Sequence, residues 1–256
     1  MLTATRQHDQ RKVLARDSER IEAPFMCPAC AREMVLRKGQ IRVHHFAHAA
    51  ATVCRLGAGE TQEHLEIKQA IFDGLRDQPT VHGLELEKWL GDSIADVYAV
   101  ISGIRVAIEV QRSVLGIDQI VHRTSNYHRM GIAVLWVALP SGDLAFDRYS
   151  PSAWERWCHA AYFGRVYYWH GGQTVRPVHF GPVALHVPQQ SWRQYGQEHS
   201  AGGYDKRSKR WVKPQPGIPM LLSHHFRGQS RDRWNGGKLQ IPQCTLFVDR
   251  QPVWWL

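Results

Sequence analysis

No stretch of this chain holds enough consecutive apolar residues to cross a bilayer, which excludes a helical membrane span. The first residues, Met1-Leu2-Thr3-Ala4-Thr5-Arg6-Gln7-His8, lack the apolar core of a secretory signal, and a cytoplasmic location is expected. Cysteine is scarce, with five in 256 residues. Two of them form a Cys-x-x-Cys pair, a pattern that suits a reduced compartment with a metal site better than a disulfide framework. Acid is also short: 23 Asp and Glu stand against 32 Lys and Arg, a net charge of +9. That surplus predicts a polyanionic partner, although net charge speaks to association and not to fold. No internal repeat is visible. What remains is a globular chain, 43% hydrophobic, long enough for one large domain or two ordinary ones.

The stretch from Ile94 to Gln111 reads as two β-branched, apolar runs joined at Ser102-Gly103, a hairpin signal. With a two-residue loop Ile101 pairs with Ile104, and counting outward sets Asp96 opposite Glu109 on one face. Facing like charges roughly 5 Å apart are destabilising. A hard divalent cation would compensate them, and Gln111 projects from the same face. Asp96 with Glu109-x-Gln111 is therefore a candidate Mg²⁺ or Mn²⁺ site. A solvated hairpin with charged outer positions is the plainer alternative, but apolar residues on both faces imply a sheet covered on both sides, where a bare acid pair is costly.

Upstream, Cys27-Pro28-Ala29-Cys30 is followed by a hairpin-like run and by Val43-His44-His45-Phe46-Ala47-His48. Thiolate and imidazole donors suit tetrahedral Zn²⁺ in a small structural site. His44, His45, His48 and Cys54 compete for two ligand places; Cys27, Cys30, His45 and His48 are the expected set, with Cys54 the substitute. After Gly57-Ala58-Gly59, residues 60–75 read as an amphipathic helix with Thr61 as N-cap and an apolar stripe of Ile67, Ile71 and Leu75. Glu63, one turn back along that stripe, is expected to look into the sheet. His64 and Lys68 are i,i+4 neighbours beside it.

Residues 84–90 alternate as a strand, 117–130 read as a helix stopped by Gly131, and 132–139 as a buried strand ended at Pro140-Ser141. The order is helix, three strands, helix, strand. With a helix Glu, a strand Asp and Glu-x-Gln on the next strand, it resembles the PD-(D/E)XK nuclease fold. Residues 25–139 more closely resemble the competence protein CoiA-like family, through Cys27-Pro28-Ala29-Cys30, Gly39, His45-Phe46-Ala47-His48, Glu60-Thr61-Gln62-Glu63-His64 with Lys68, Ala95-Asp96-Val97, Glu109-Val110-Gln111-Arg112-Ser113, and Arg123 to Tyr127 leading into Gly131-Ile132-Ala133-Val134-Leu135-Trp136-Val137.

The resemblance implies an α/β fold with a PD-(D/E)XK-like αβββαβ core and a metal-dependent nuclease linked to DNA uptake, processing or defence. Asp96 and Glu109 are the expected Mg²⁺ or Mn²⁺ ligands. Glu63 is expected to position metal or water and Gln111 to orient the attacking water, with His64 or Lys68 supplying the charge that lysine brings at the Gln111 position in the wider fold. A non-catalytic zinc-containing nucleic-acid-binding module and an RNase are the alternatives.

The expected units are 1–56 with the zinc-finger-like part, 57–145 as nuclease core, and 150–256 as an aromatic-rich basic region. Eight of the ten tryptophans lie from Trp154 onward. They read mainly as a small β-rich core, with a short helix at 154–164 and a hairpin around Gly171-Gly172. Between Gln189 and Gly237 apolar periodicity fades and a long basic loop is expected, ordered on nucleic acid. Lys206, Arg207, Lys209 and Arg210 are its expected phosphate contacts, with DNA preferred to RNA.

Overall fold

The computed structural model describes residues 1–51, 53–54, 60–111, 115–139, 142–236 and 239–256. Gly57-Ala58-Gly59, Arg112-Ser113, Pro140-Ser141 and the basic Lys238 beside Gly237 lie outside the described residues. The first 48 residues form one five-stranded sheet in the order β2-β1-β3-β4-β5. Its strands are β1 (Thr3–Arg6), β2 (Lys12–Leu14), β3 (Phe25–Met26), β4 (Glu33–Arg37) and β5 (His45–His48). Phe25, Met34, Leu36 and Phe46 close a small core of its own.

Helix α1 (Gln62–Arg76) follows. Thr61 caps it by accepting the His64 N–H at 3.3 Å, and Leu65, Ile67, Ile71, Phe72 and Leu75 are its buried apolar face. Next come β6 (Val81–Leu90), β7 (Ser93–Ile101), β8 (Ile104–Gln111), α2 (Ile117–Arg129) and β9 (Ala133–Ala138). Strands β6, β7 and β8 pair antiparallel, and β8 pairs β9 in parallel. The turn is the expected one: Ser102 and Gly103 both have positive φ, 49° and 78°, the pair of left-handed residues that suits the twist of a tight hairpin. Ile101 pairs with Ile104 and Val97 with Ile108. All six residues of β9 are buried, as a parallel strand inside a covered sheet requires. Gly131, at φ 65°, ends α2 and lets Ile132 N–H donate to Tyr127 O at 2.9 Å.

The C-terminal strands extend this sheet. After α3 (Ala153–Ala161), capped reciprocally by Ser152 and Glu155, β10 (Val166–Gly171) pairs in parallel with β9 and antiparallel with β11 (Thr174–Val187). Beyond these lie β12 (Gln190–Gln194), β13 (Gln197–Ala201), β14 (Tyr204–Pro216), β15 (Met220–Leu221), β16 (Phe226–Arg231), β17 (Trp234–Gly236), β18 (Leu239–Ile241) and β19 (Cys244–Asp249). The large sheet runs β14-β11-β10-β9-β8-β7-β6, and β19 also meets β9 beside β10. The long basic loop expected after Gln189 is instead a set of paired strands. Both faces of β12 and most of β14 are exposed, so no apolar alternation marks them and the main-chain ladder alone carries the order. Trp154 and Trp157 are core residues, as expected for most of the tryptophans, whereas Trp192 and Trp234 are exposed. Among the described residues no helix is long and apolar enough to cross a membrane.

Candidate functional site: an acid cleft and a thiol cluster

Across β6, β7 and β8 three acids stand at one level. Leu86 pairs with Val97 and Lys88 with Ala95, which sets Glu87 beside Asp96; Val97 with Ile108 sets Asp96 beside Glu109. The expected juxtaposition of Asp96 and Glu109 therefore holds in register, but their carboxylates use different partners. Asp96 Oδ2 accepts from His64 Nε2 at 3.2 Å and from Val110 N–H at 2.9 Å, and Lys68 Nζ lies 3.7 Å from its Oδ1. Glu109 is fully buried and accepts from Arg123 Nη2 at 2.5 Å and from the Tyr127 hydroxyl. Arg123 and Tyr127 sit one turn apart on α2, so one helix face supplies both donors. Protein cations, Lys68 and Arg123, offset the facing acids.

Lys68 is the hub. It is 1% exposed and its ammonium touches Glu60, Glu87 at 2.8 Å and Asp96. Burial lowers its pKa, but the three carboxylates outweigh that and hold it charged. At Asp96 burial works against ionisation and is overcome by the charges of His64 and Lys68, which leaves this carboxyl well below the ordinary range. Glu109 goes the other way. Burial pushes it up to about 8, with the Asp96 charge adding to the rise and Arg123 opposing it. His64 is raised: burial lowers it and Asp96 more than compensates.

Glu60, His64 and Asp96 present donor atoms within 4.8 Å of one another. They line a cleft of ≈ 880 Å³ together with Lys68, Glu87 and Arg123. Glu63 does not enter it. Four residues of helix advance 400°, so a stripe at that spacing drifts about 40° per step, and three steps back from Leu75 carry Glu63 round to the exposed side. Glu60, ahead of the N-cap, turns its carboxylate in instead. Gln111 is buried at the end of β8. Glu60, Glu87, Arg123 and Tyr127 were missed as site residues. The i,i+4 spacing of Arg123 and Tyr127 was a usable signal; Glu87 had none, since it reads as a strand surface acid.

The second cluster is Cys27, Cys30, His48 and Cys54. Cys27 Sγ and Cys54 Sγ are 3.7 Å apart, and Cys30 Sγ lies 3.3 Å from His48 Nε2. Zn–S bonds of about 2.3 Å in a tetrahedron place sulfurs about 3.8 Å apart, so this donor set fits one Zn²⁺. A turn in which Cys27 O accepts from Ala31 N–H at 2.8 Å and Cys27 N–H donates to Arg32 O at 2.8 Å presents the first two thiols. His45 lies outside the set, with its Nδ1 2.9 Å from Val43 O. Residues three apart on a strand point to opposite faces, so β5 cannot aim His45 and His48 at one ion, and Cys54 takes the fourth place. His44 faces Gly39 O at 3.2 Å. Lys206, Arg207, Lys209 and Arg210 lie exposed on β14, at the other end of the large sheet from the β6, β7 and β8 strands that carry the acids.

Comparison with known proteins agrees with this layout. The N-terminal domain of competence protein CoiA matches residues 6–57 and its nuclease-like domain matches residues 60–144. The chain belongs to the CoiA-like family. The CoiA-like nuclease segment contains the whole acid cleft, and the CoiA-like N-terminal segment contains the four thiol and imidazole donors. "Competence protein CoiA" of Bacillus subtilis (strain 168) is 29% identical over 114 residues, 44% of this chain and 31% of that protein. The match thus spans about a third of the relative's length. No solved structure matches the chain.

Proposed function

We propose that this CoiA-like protein is a metal-dependent nuclease hydrolysing phosphodiester bonds in DNA. The observation that carries the reading is the Glu60–His64–Asp96 group beside Lys68, in a cleft within the nuclease-like segment. The order α1-β6-β7-β8-α2-β9 supports a PD-(D/E)XK-like core. In this reading residues 1–56 hold structural Zn²⁺, 57–145 are the nuclease core and 150–256 engage nucleic acid.

Mg²⁺ or Mn²⁺ would be held by Asp96 and Glu109, with Glu60 in the part first expected of Glu63 and His64 as a further donor. Such an ion polarises a phosphoryl oxygen and lowers the pKa of its water. Lys68 keeps a fixed positive charge at the cleft and positions Asp96 and Glu60. Gln111 orients the attacking water by hydrogen bonding, and Arg123 with Tyr127 fixes the Glu109 carboxylate. Lys206, Arg207, Lys209 and Arg210 contact phosphates.

The test is to incubate the full chain and Asp96→Asn with plasmid, linear duplex, single-stranded DNA and RNA, each with Mg²⁺, Mn²⁺ or chelator. Metal-dependent DNA cleavage by the wild type alone is the expected result. One observation favours a non-catalytic binding module: Arg123, Tyr127 and Lys68 already occupy the acids. Binding without cleavage of any substrate establishes that second reading, and cleavage of RNA alone makes the protein an RNase.

A further inference from the structure

The two strands β11 and β14 pair out to Val187 with Tyr204, and the same two lines of chain resume as β12 and β13 from Gln190 with Ala201 to Gln194 with Gln197. They close at Tyr195-Gly196, both at positive φ, 50° and 78°, a tight hairpin turn that follows the ribbon's twist. Every residue of β12 is exposed, and all but one of β13. A lone two-stranded hairpin is marginally stable in water. This one gains no core at its tip, so its order leaves both faces available to a partner.

The partner's charge is written on it. Arg193, Lys206, Arg207, Lys209 and Arg210 are exposed along the ribbon, against Glu198 and an Asp205 that faces His186 at 2.9 Å. Trp192 (46% exposed), Tyr195 (96%) and Tyr204 (55%) stand among them. Between the Pro182–Val212 and Ala184–Arg207 pairs, β14 carries Ser208 to Trp211 opposite Val183 alone. A bulge of this kind re-aims side chains. Here it sets Arg210 over the Trp211 ring at 4.6 Å, while Arg156 of α3 donates to Arg210 O at 2.7 Å and fixes the ribbon's root.

We propose that this ribbon is an arm that seats in the major groove of B-form duplex DNA. That groove, about 12 Å wide, admits a two-stranded ribbon, whereas the deep, narrow major groove of A-form RNA does not. Cations on both strands of the arm meet phosphates on both walls, and the tip aromatics meet base edges and thymine methyls. The proposal deepens the nuclease reading by naming the substrate's form, and rests on it only for the expectation that the same duplex reaches the cleft. Pro177 is level with Tyr167, Val137 and Val110, next to Glu109. From there to Gln194 the chain runs about 55 Å, or about 16 base pairs.

The test uses the full chain and a labelled duplex of about 30 base pairs, long enough to span that distance, with binding read by fluorescence anisotropy over a salt series. One variant replaces Gln190–Ala201 by Asn-Gly; a second, which keeps the strands, is Arg193→Glu with Lys206→Glu and Arg207→Glu. Both are expected to bind DNA duplex at least about tenfold more weakly; the salt slope should be shallower by about one for the deletion, which removes Arg193, and by about two or more for the triple reversal. Unchanged affinity overturns the proposal, as does an equal arm-dependent loss on an RNA duplex or on single-stranded DNA. Cleavage is scored separately: arm-dependent duplex binding without metal-dependent cleavage removes the nuclease reading and leaves the arm, and cleavage with arm-independent binding removes the arm alone.

Discussion

The thiol cluster and the acid cleft both gather metal-type donors, but they differ in what lies between those donors. In the first, Cys27, Cys30, His48 and Cys54 lie against one another. In the second, Lys68 and His64 touch Asp96, and Arg123 with Tyr127 holds Glu109. The thiol set is closed and calls for an ion to hold its four donors together. The acid set is balanced by protein cations, so its shape does not depend on an ion. Two sets of metal-type donors are thereby told apart by their neighbours more than by the donors themselves.

The strongest attempt to break this contrast is Cys30→Ser. Structural zinc contributes folding free energy directly, so the substitution should remove the one zinc per chain and destabilise the N-terminal sheet by several kcal/mol, on the order seen for small zinc units. Elemental analysis with thermal melts measures it, and wild-type protein purified without zinc yet melting cooperatively would end the assignment. Lys68→Met is next. It leaves Glu60, Glu87 and Asp96 without their shared cation, and removing one member of a buried ion pair costs about 3–5 kcal/mol. Urea unfolding reads this, and a loss below about 1 kcal/mol would show that the cleft does not depend on its internal balance.

A pH series sharpens the contrast inside the cleft. Glu109 is raised from 4.5 to about 8, so its contribution to stability is whole below pH 4.5 and lost as pH rises through 8. Asp96 is depressed, so its contribution is present above its ordinary range and lost as pH falls through the folded value. Glu109→Gln should therefore gain on wild type, by up to a few kcal/mol, as pH climbs from 4.5 to 8, and Asp96→Asn should lose least in acid. Parallel stability curves for wild type and Glu109→Gln would contradict the raised carboxyl. The smallest effect is expected of Glu63→Gln, which changes an exposed side chain outside the cleft. It should shift stability by less than about 0.5 kcal/mol and leave cleavage intact, whereas Glu60→Gln should impair cleavage.

Local rules read much of this molecule from sequence. Ser102-Gly103 fixed a register that runs to Val97 and Ile108, because a two-residue turn leaves no freedom in the pairing. Thr61 and Gly131 bounded α1 and α2 for reasons that act within one turn. Choices that depend on where a side chain points in three dimensions were harder. Glu63 in place of Glu60 follows from ignoring helical drift, and His45 in place of Cys54 from treating a strand as though both its faces met one ion. Residues 190–216 had no legible signal, since a ribbon exposed on both faces carries no apolar period.

Glu87 is 1% exposed, in the left-handed region at φ 49°. Besides Lys68 it accepts from Leu2 N–H at 2.9 Å, Thr3 N–H at 3.0 Å and Thr3 Oγ1 at 2.7 Å. The N-terminal sheet, through Leu2 and Thr3 at the start of β1, thus completes the shell of an acid whose cation sits in the cleft, and that sheet shares one electrostatic network with the nuclease-like segment. Modularity by homology is not modularity by physics. A fragment limited to residues 60–144 would strand a buried carboxylate at a cost of about 1–3 kcal/mol for each donor lost, and would free Lys68 to shift. Silence from such a fragment in a cleavage assay would describe the amputation and not the chemistry of the intact chain.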